Sequence, residues 1–288
     1  MAGGRVVVVG GANVDVVARP GRAPEPATSN PGRVTVTAGG VGRNVAEVLA
    51  RLGTPTSLVS AVAGDAHGDL VVEASADAGV DLTHVRQVEG RTGAYVALLD
   101  DHGELVGGVS DMDDCDLQPG DLPATTLARA ALVVLDGNLP PATVARALEL
   151  ATGPVALDPV SVPKAQRLRD VVAAADRRLF LVSAGAAELA ALGPVVADLL
   201  WERRGPAGSV LTGPDGAVEL SSRPVPGGAV VDVTGAGDAM LGAFVHAWLG
   251  GDEPTRAAAY AHAAAALTVA SEHTVRPDLT DDLVRSLL

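Results

Sequence analysis

Short apolar runs alternate with longer segments of helical spacing along most of this chain. Arg5 to Val9 is a β-branched run bounded by glycine, the pattern of a buried strand. Pro20 to Pro31 reads as an irregular, proline-rich link, and Arg33 to Thr37 alternates as a strand does. Val45, Val48, Leu49 and Leu52 fall at helical spacing, with Gly53 as the stop signal. Ser57 to Val62 predicts the next strand. Gly64-Asp65-x-x-Gly68 then opens a helix over Asp69 to Ala78, ended by Gly79-Val80-Asp81. Thr92 to Leu99 and Leu105 to Val109 flank Asp100-Asp101-His102-Gly103 and predict a hairpin. That hairpin is either an ordinary edge hairpin or, with Val14 to Val17 and Arg33 to Thr37, a small sheet set apart from the main one.

From Leu132 the rhythm is strand, helix, strand, helix. The strands are Leu132 to Leu135, Val155 to Leu157, Leu179 to Val182 and Ser209 to Leu211. The helices are Pro141 to Ala151, Ala165 to Ala175 and Ala187 to Leu192. Such alternation predicts an α/β fold whose mostly parallel sheet is covered on both faces. Leu211 to Gly216 is a turn-rich stretch leading into Ala217 to Leu220. Ala229 to Val231 reads as a strand end, Ala239 to Leu249 as a helix, and Ala257 to Ala270 as a tightly packed helix. No internal repeat or low-complexity segment interrupts this order, and residues 1–288 read as a single domain.

Composition narrows the partners. Hydrophobic residues make up 48% of 288 residues and charged ones 19%, enough for a sizeable core. Aromatic residues make up only 2%, so stacking platforms for single-stranded nucleic acid are scarce. A net charge of -14 argues against nucleic-acid and anionic-membrane partners. The single cysteine, Cys115, excludes an intrachain disulfide. Val6 to Val9 is too short for a signal-peptide core, and no stretch approaches a membrane span. A cytoplasmic location is therefore expected.

The chemistry concentrates at Asp232-Val233-Thr234-Gly235-Ala236-Gly237-Asp238, just before a helix. Small residues there let backbone N–H groups face outward at a helix N-terminus, a site for anionic oxygen. A carboxylate at that mouth repels a resting phosphate. It is suited instead to taking a proton from a hydroxyl that attacks phosphorus. Near the other end, Asn13 and Asp15 point the same way from an extended segment, either to hold sugar hydroxyls or as an Asx-turn leaving the strand. Gly39-Gly40-x-x-x-Asn44 opens the helix of Val45 to Leu52. Its glycines permit close main-chain approach, and Asn44 either meets a hydroxyl or caps the helix.

Asp232-x-Thr-Gly-Ala-Gly-Asp238 resembles the C-terminal signature of the PfkB (ribokinase-like) carbohydrate and nucleoside kinases, and Gly39-Gly40-x-x-x-Asn44 resembles their N-terminal one. The resemblance spans nearly the whole sequence. It implies a ribokinase-like three-layer sandwich with a mostly parallel central sheet and a β-sheet lid from about 14–37 and 91–112. It implies Asp238 as catalytic base, with Gly235, Ala236 and Gly237 as the anion hole. Asn13, Asp15, Gly39, Gly40 and Asn44 would hold the ribose. ATP with Mg²⁺ would be the donor, and the stretch of Thr212, Gly213 and Gly216 resembles the nucleotide-side loop, although a plain hairpin turn fits it nearly as well. A K⁺ ion near Asp232 and Thr234 is a further implication, and the exposed edges of such a lid sheet could pair with another subunit's to give a homodimer.

Ser29-Asn30-Pro31-Gly32, Gly40 to Ala46, Ser110-Asp111-Met112 and Asp158-Pro159-Val160-Ser161 with Lys164 look most like the branch acting on pseudouridine. The 5′-hydroxyl of a ribosyl compound is the expected acceptor, with other nucleosides, ribose-like sugars or a non-catalytic nucleoside-binding role as alternatives. Asp111 is placed to read a uracil-like base; Lys164 meets a phosphate or a base carbonyl, or is simply a solvated helix-start lysine. One departure stands out. The family's Asn-x-x-Glu, which helps order Mg²⁺, is Ala184 and Ala187 here, and Glu188 falls one residue late, rotated by roughly 100° on a helix. Either Glu188 swings in, or Mg²⁺ is held by ATP and water, or catalysis is weak.

Overall fold

The computed structural model describes residues 4–288. The first three residues, included in the single-domain expectation, lie outside the described residues. The chain begins with β1 (Val6–Val9), β2 (Asn13–Pro20), β3 (Gly32–Gly39), α1 (Val41–Arg51), β4 (Thr56–Ala63), α2 (Ala66–Asp77) and β5 (Asp81–Val88). β6 (Ala94–Leu99), β7 (Leu105–Asp111), α3 (Ala124–Arg129), β8 (Leu132–Asp136), α4 (Pro141–Leu150), β9 (Val155–Asp158) and α5 (Val162–Ala174) follow. The last part holds β10 (Leu179–Gly185), α6 (Ala186–Leu192), β11 (Ala197–Arg203), β12 (Ser209–Gly213), β13 (Gly216–Leu220), α7 (Ala236–Leu249), α8 (Pro254–Val269) and α9 (Asp281–Arg285).

The large sheet runs β13-β12-β11-β10-β9-β8-β1-β4-β5. Its strands from β11 to β5 are parallel; β12 and β13 are antiparallel additions. Successive β1 residues point to opposite faces, and each face has its own core. Val6 and Val8 pack with Val45, Val48 and Leu49 of α1 and with the apolar residues of α7 and α8. Val7 and Val9 pack with Leu127 of α3, Val144 of α4, Leu168 of α5 and Leu192 of α6. Coverage on both faces explains why β1 reads as an unbroken valine run.

A second sheet runs β3-β2-β6-β7. β2 pairs antiparallel with β3 and parallel with β6, and β6 pairs antiparallel with β7. It spans the expected small-sheet segments. Residues Val36, Val16, Val96 and Val109 form one cross-strand row and Val34, Ala18 and Leu98 the next, so one face is apolar.

The structure adds short helices α3 and α9 that were not expected, and differs from the sequence expectation at three further places. β5 was hidden because its DLTHVRQV lacks a continuous apolar run; it is an edge strand paired only with β4. β11 was hidden because Leu199-Leu200-Trp201 is flanked by charge, yet Trp201 is fully buried. Ala229 to Val231 is not a strand end. The segment runs as loop, tied by Val231 N–H to the Val269 carbonyl at 2.8 Å. Among the described residues, no helix is long and apolar enough to cross a membrane.

Candidate active site

The carboxyl ends of the parallel strands define one edge of the large sheet. Asp136 ends β8 opposite Asp158 at the end of β9, and Gly185 ends β10 opposite Arg203 at the end of β11. The N-terminus of α7 reaches this edge. Its N-cap, Gly235, has φ 78°, and a β-carbon there would lie 2.1 Å from the Thr274 carbonyl oxygen, so only glycine fits. The Ala236 amide leans on the Val233 carbonyl at 3.3 Å. The Gly237 and Asp238 amides find no internal acceptor among the described residues, as expected for a helix start.

Asp238 lies in the first turn of α7 and is 9% exposed. Burial pushes its carboxyl up from 3.8 to about 7. The hydrogen bond from Asn44 and the charge of Arg203 oppose that rise, while Asp158 and Asp136 add to it. Asn44 Nδ2 donates to Asp238 Oδ2 at 2.8 Å. The Asn44 amide is oriented by Arg43, whose Nη1 donates to Asn44 Oδ1 at 3.1 Å. Arg43 is itself held by Glu47, by the Ala38 carbonyl at 3.2 Å and by Ser75 Oγ at 3.3 Å. A buried chain thus runs from Glu47 through Arg43 and Asn44 to the carboxylate.

The glycines of the N-terminal signature serve internal contacts. A β-carbon on Gly39 would lie 2.2 Å from Asp15 Oδ2, and one on Gly40 would lie 2.5 Å from the Gly11 carbonyl oxygen. Gly40 also has φ 95°. Their absence of side chain lets α1 dock on the loop after β1, where Arg43 N–H donates to the Gly11 carbonyl at 3.1 Å. Asn13 Nδ2 donates to Asp15 Oδ1 at 3.0 Å, so the two side chains do converge. Burial raises the Asp15 carboxyl above its usual range, offset by Asn13 and by Arg43.

Asp136 accepts from the Gly11 amide at 2.9 Å and the Asn138 amide at 2.8 Å. Lys164 is half-buried and bonded to Asn138 Oδ1, beside Asp136; burial lowers its ammonium pKa. Arg203 Nη1 lies 2.9 Å from Asp158 Oδ2 as an ion pair. A β-carbon on Gly237 would lie 2.6 Å from Arg203 Nη1, so the guanidinium rests on the start of α7. Asp136, Asp158, Arg203 and Arg43 were not singled out as site residues from sequence. A polar residue directly after each predicted buried strand was the available signal for Asp136 and Asp158; Arg203 ends a strand that was itself hidden, and Arg43 offered only its i,i+4 spacing to Glu47.

Other expected residues stand apart. Asp111 is exposed and pairs with Arg91 at 3.7 Å, while Met112 lines a cavity of about 30 Å³ with Gly10, Asn138 and Cys115. Asp232 accepts from the Thr234 amide at 2.8 Å in an exposed turn before Gly235. Glu188 folds back on Gly185, whose β-carbon would lie 2.5 Å from Glu188 Oε2. Among the described residues, no group of three His, Cys, Asp or Glu side chains is placed to hold a metal ion. Thr212, Gly213 and Gly216 are not brought to Asp238. β12 runs antiparallel to β11, with Thr212 opposite Leu200, so the β12–β13 turn lies at the far edge of the sheet. The loop at the Asp238 edge is Arg203 to Ser209 instead.

The sequence profile of the pfkB family carbohydrate kinases matches residues 4–281. The chain is 32% identical to the pseudouridine kinase of Escherichia coli K12 over 301 aligned positions, covering 98% of this chain and 96% of that enzyme. It is 32% identical to the ATP-dependent ribose-1-phosphate kinase of Halopiger xanaduensis, covering 99% and 98%. Arabidopsis thaliana ribokinase, solved with ribose and ATP, superposes with a TM-score of 0.81 at 27% identity, covering 99% and 98%.

Proposed function

Because this chain belongs to the pfkB family of carbohydrate kinases, we propose that it transfers the γ-phosphoryl group of ATP to the 5′-hydroxyl of a ribosyl compound, pseudouridine first among them. The observation that carries this is the Asp238 carboxylate, held by Asn44 at 2.8 Å beside the free amides of Gly237 and Asp238. The acceptor oxygen bonds to the γ-phosphorus as the bond to the β,γ-bridging oxygen breaks and its electron pair leaves with ADP. The hydroxyl proton passes to Asp238, whose pKa near 7 suits that transfer at neutral pH. The amides at the start of α7 stabilise the transferring charge. Asn13, Asp15 and Asn44 hold the ribose.

The described residues do not form a Mg²⁺ cage: Ala184 and Ala187 carry no ligand atoms, and Glu188, beside Gly185, belongs to no group of three ligand side chains. Mg²⁺ enters as the ATP complex, bound by phosphate oxygens and water. A monovalent cation site falls to the loop of Asp232 and Thr234, tested by the K⁺ dependence of turnover. We assign the small sheet as the lid. Its exposed apolar row, with Val36 44%, Val96 43% and Val109 66% exposed, suits a homodimer through the lid, tested by sedimentation.

The test is to mix the purified protein with Mg-ATP and pseudouridine and identify the 5′-monophosphate by mass spectrometry. Uridine, inosine, ribose and ribose 1-phosphate follow under coupled ADP detection. Product from pseudouridine alone supports the assignment, and product from another acceptor moves it within the family. Ala184 and Ala187 favour a second reading, a nucleoside sensor without turnover. Thermal stabilisation by nucleoside with no ADP from any acceptor would establish that reading and remove the first.

A further inference from the structure

We propose that Arg203 is a catalytic residue that binds oxygens of the transferred phosphoryl group beside the Gly237 and Asp238 amides, an inference resting on the kinase reading above. Arg203 ends β11 in register with Gly185, at the edge where Asp136, Asp158 and Asp238 converge. Its guanidinium lies against Gly237, where a β-carbon would be 2.6 Å from Nη1. Asp158 Oδ2 fixes it from behind at 2.9 Å. A guanidinium carries five N–H donors. Apart from that ion pair, none of them meets an acceptor in the described residues, and Nη1 itself is buried without an aligned hydrogen bond.

The surroundings explain why a cation is required. Three carboxylates face this edge, and a triphosphate arriving there meets repulsion from all of them. The adjacent strand end carries Ala184 and the next helix Ala187, and Glu188 beside Gly185 adds a further carboxylate near this edge. Lys164 is engaged by Asn138. Arg203 is the cation whose charge acts on Asp238. A planar guanidinium matches phosphoryl oxygens in two-pronged fashion and stays charged throughout the reaction. Charge then grows on the transferred group directly in front of a fixed positive centre.

The test uses Arg203→Met, Arg203→Lys and the double variant Arg203→Met with Asp158→Asn, which removes both members of the ion pair. Folding is checked by thermal melting. Loss of one such donor lowers kcat by about 10²- to 10³-fold, with the acceptor KM nearly unchanged, and millimolar guanidinium chloride restores part of it. Arg203→Lys retains an intermediate rate. In parallel, calorimetry compares a non-hydrolysable ATP analogue with ADP. The wild type favours the analogue, and the Met variants lose that preference. Turnover near the wild-type rate, or lost turnover with the analogue preference intact and no guanidinium rescue, overturns the role of Arg203 and leaves the kinase reading standing. If the wild type turns over no acceptor, the kinase reading fails, and loss or retention of the analogue preference alone decides whether Arg203 holds the terminal phosphate.

Discussion

Asn44 Nδ2 meets Asp238 Oδ2 at 2.8 Å, joining the first turns of two helices 194 positions apart in the chain. This contact closes the site: the residue at the end of one glycine signature holds the carboxylate at the end of the other. It also holds the ionised form, which burial alone would neutralise.

The base must be ionised to act, so kcat/KM should rise through pH 7 and level off above it, following the Asp238 value of about 7. Asn44→Ala removes a hydrogen bond that lowers this pKa, and the acid limb of the profile should move to higher pH. Asp238→Asn should lower kcat by about 10²- to 10⁴-fold. The raised pKa also makes the folded chain hold a proton that the unfolded chain releases above 3.8, so this group costs stability as pH climbs from about 4 to 7. The melting advantage of Asp238→Asn should be absent near the lower limit and largest above the upper one.

Arg43 and Glu47 form a buried pair within α1, each about 5% exposed. Arg43→Met leaves Glu47 with only Arg51 at 2.7 Å and frees the Asn44 amide to turn. A loss of about 3–5 kcal/mol in urea unfolding is expected from breaking such a pair. Arg43→Met combined with Glu47→Met should recover most of the stability but not the rate, because Asn44 remains unoriented. Recovery of both would show that Arg43 acts only through folding.

Gly39 packs on the Asp15 carboxylate. Gly39→Ala should displace Asp15 and raise the acceptor KM by tenfold or so, about 1.4 kcal/mol, while the ATP KM stays unchanged. Steady-state kinetics with each substrate varied in turn separates the two.

The β12–β13 turn lies at the edge of the sheet away from Asp238. Thr212→Ala should therefore leave the ATP KM at its wild-type value. A clear rise in that KM would return the turn to the nucleotide site.

Much of this architecture is legible in the chain. The valine run of β1, the alternation from Leu132 onward and the two glycine signatures each announce a local backbone requirement. Gly235 illustrates it: φ 78° and a carbonyl at contact distance leave room for no other residue. Arg43 was hard to read because, beyond its i,i+4 partner Glu47 on α1, its partners Ser75 and Ala38 reach it only after α2 and β3 have packed on α1. The placement of Asp111 was likewise unreadable from sequence, since only the folded lid sets it beside Arg91 while Met112 lines the cavity.

Local pattern by itself determined the strand and helix rhythm and singled out the candidate base, because side-chain periodicity and glycine dihedrals are properties of neighbours in sequence. Only the tertiary structure decided which residues share the edge that holds Asp238. One antiparallel strand, β12, reverses the chain and carries Thr212 to the opposite end, while β11 delivers Arg203 to the Asp238 edge. The pKa of Asp238 was likewise a tertiary outcome, being set by burial and by charges on Asp136, Asp158 and Arg203 that approach it only in the folded chain.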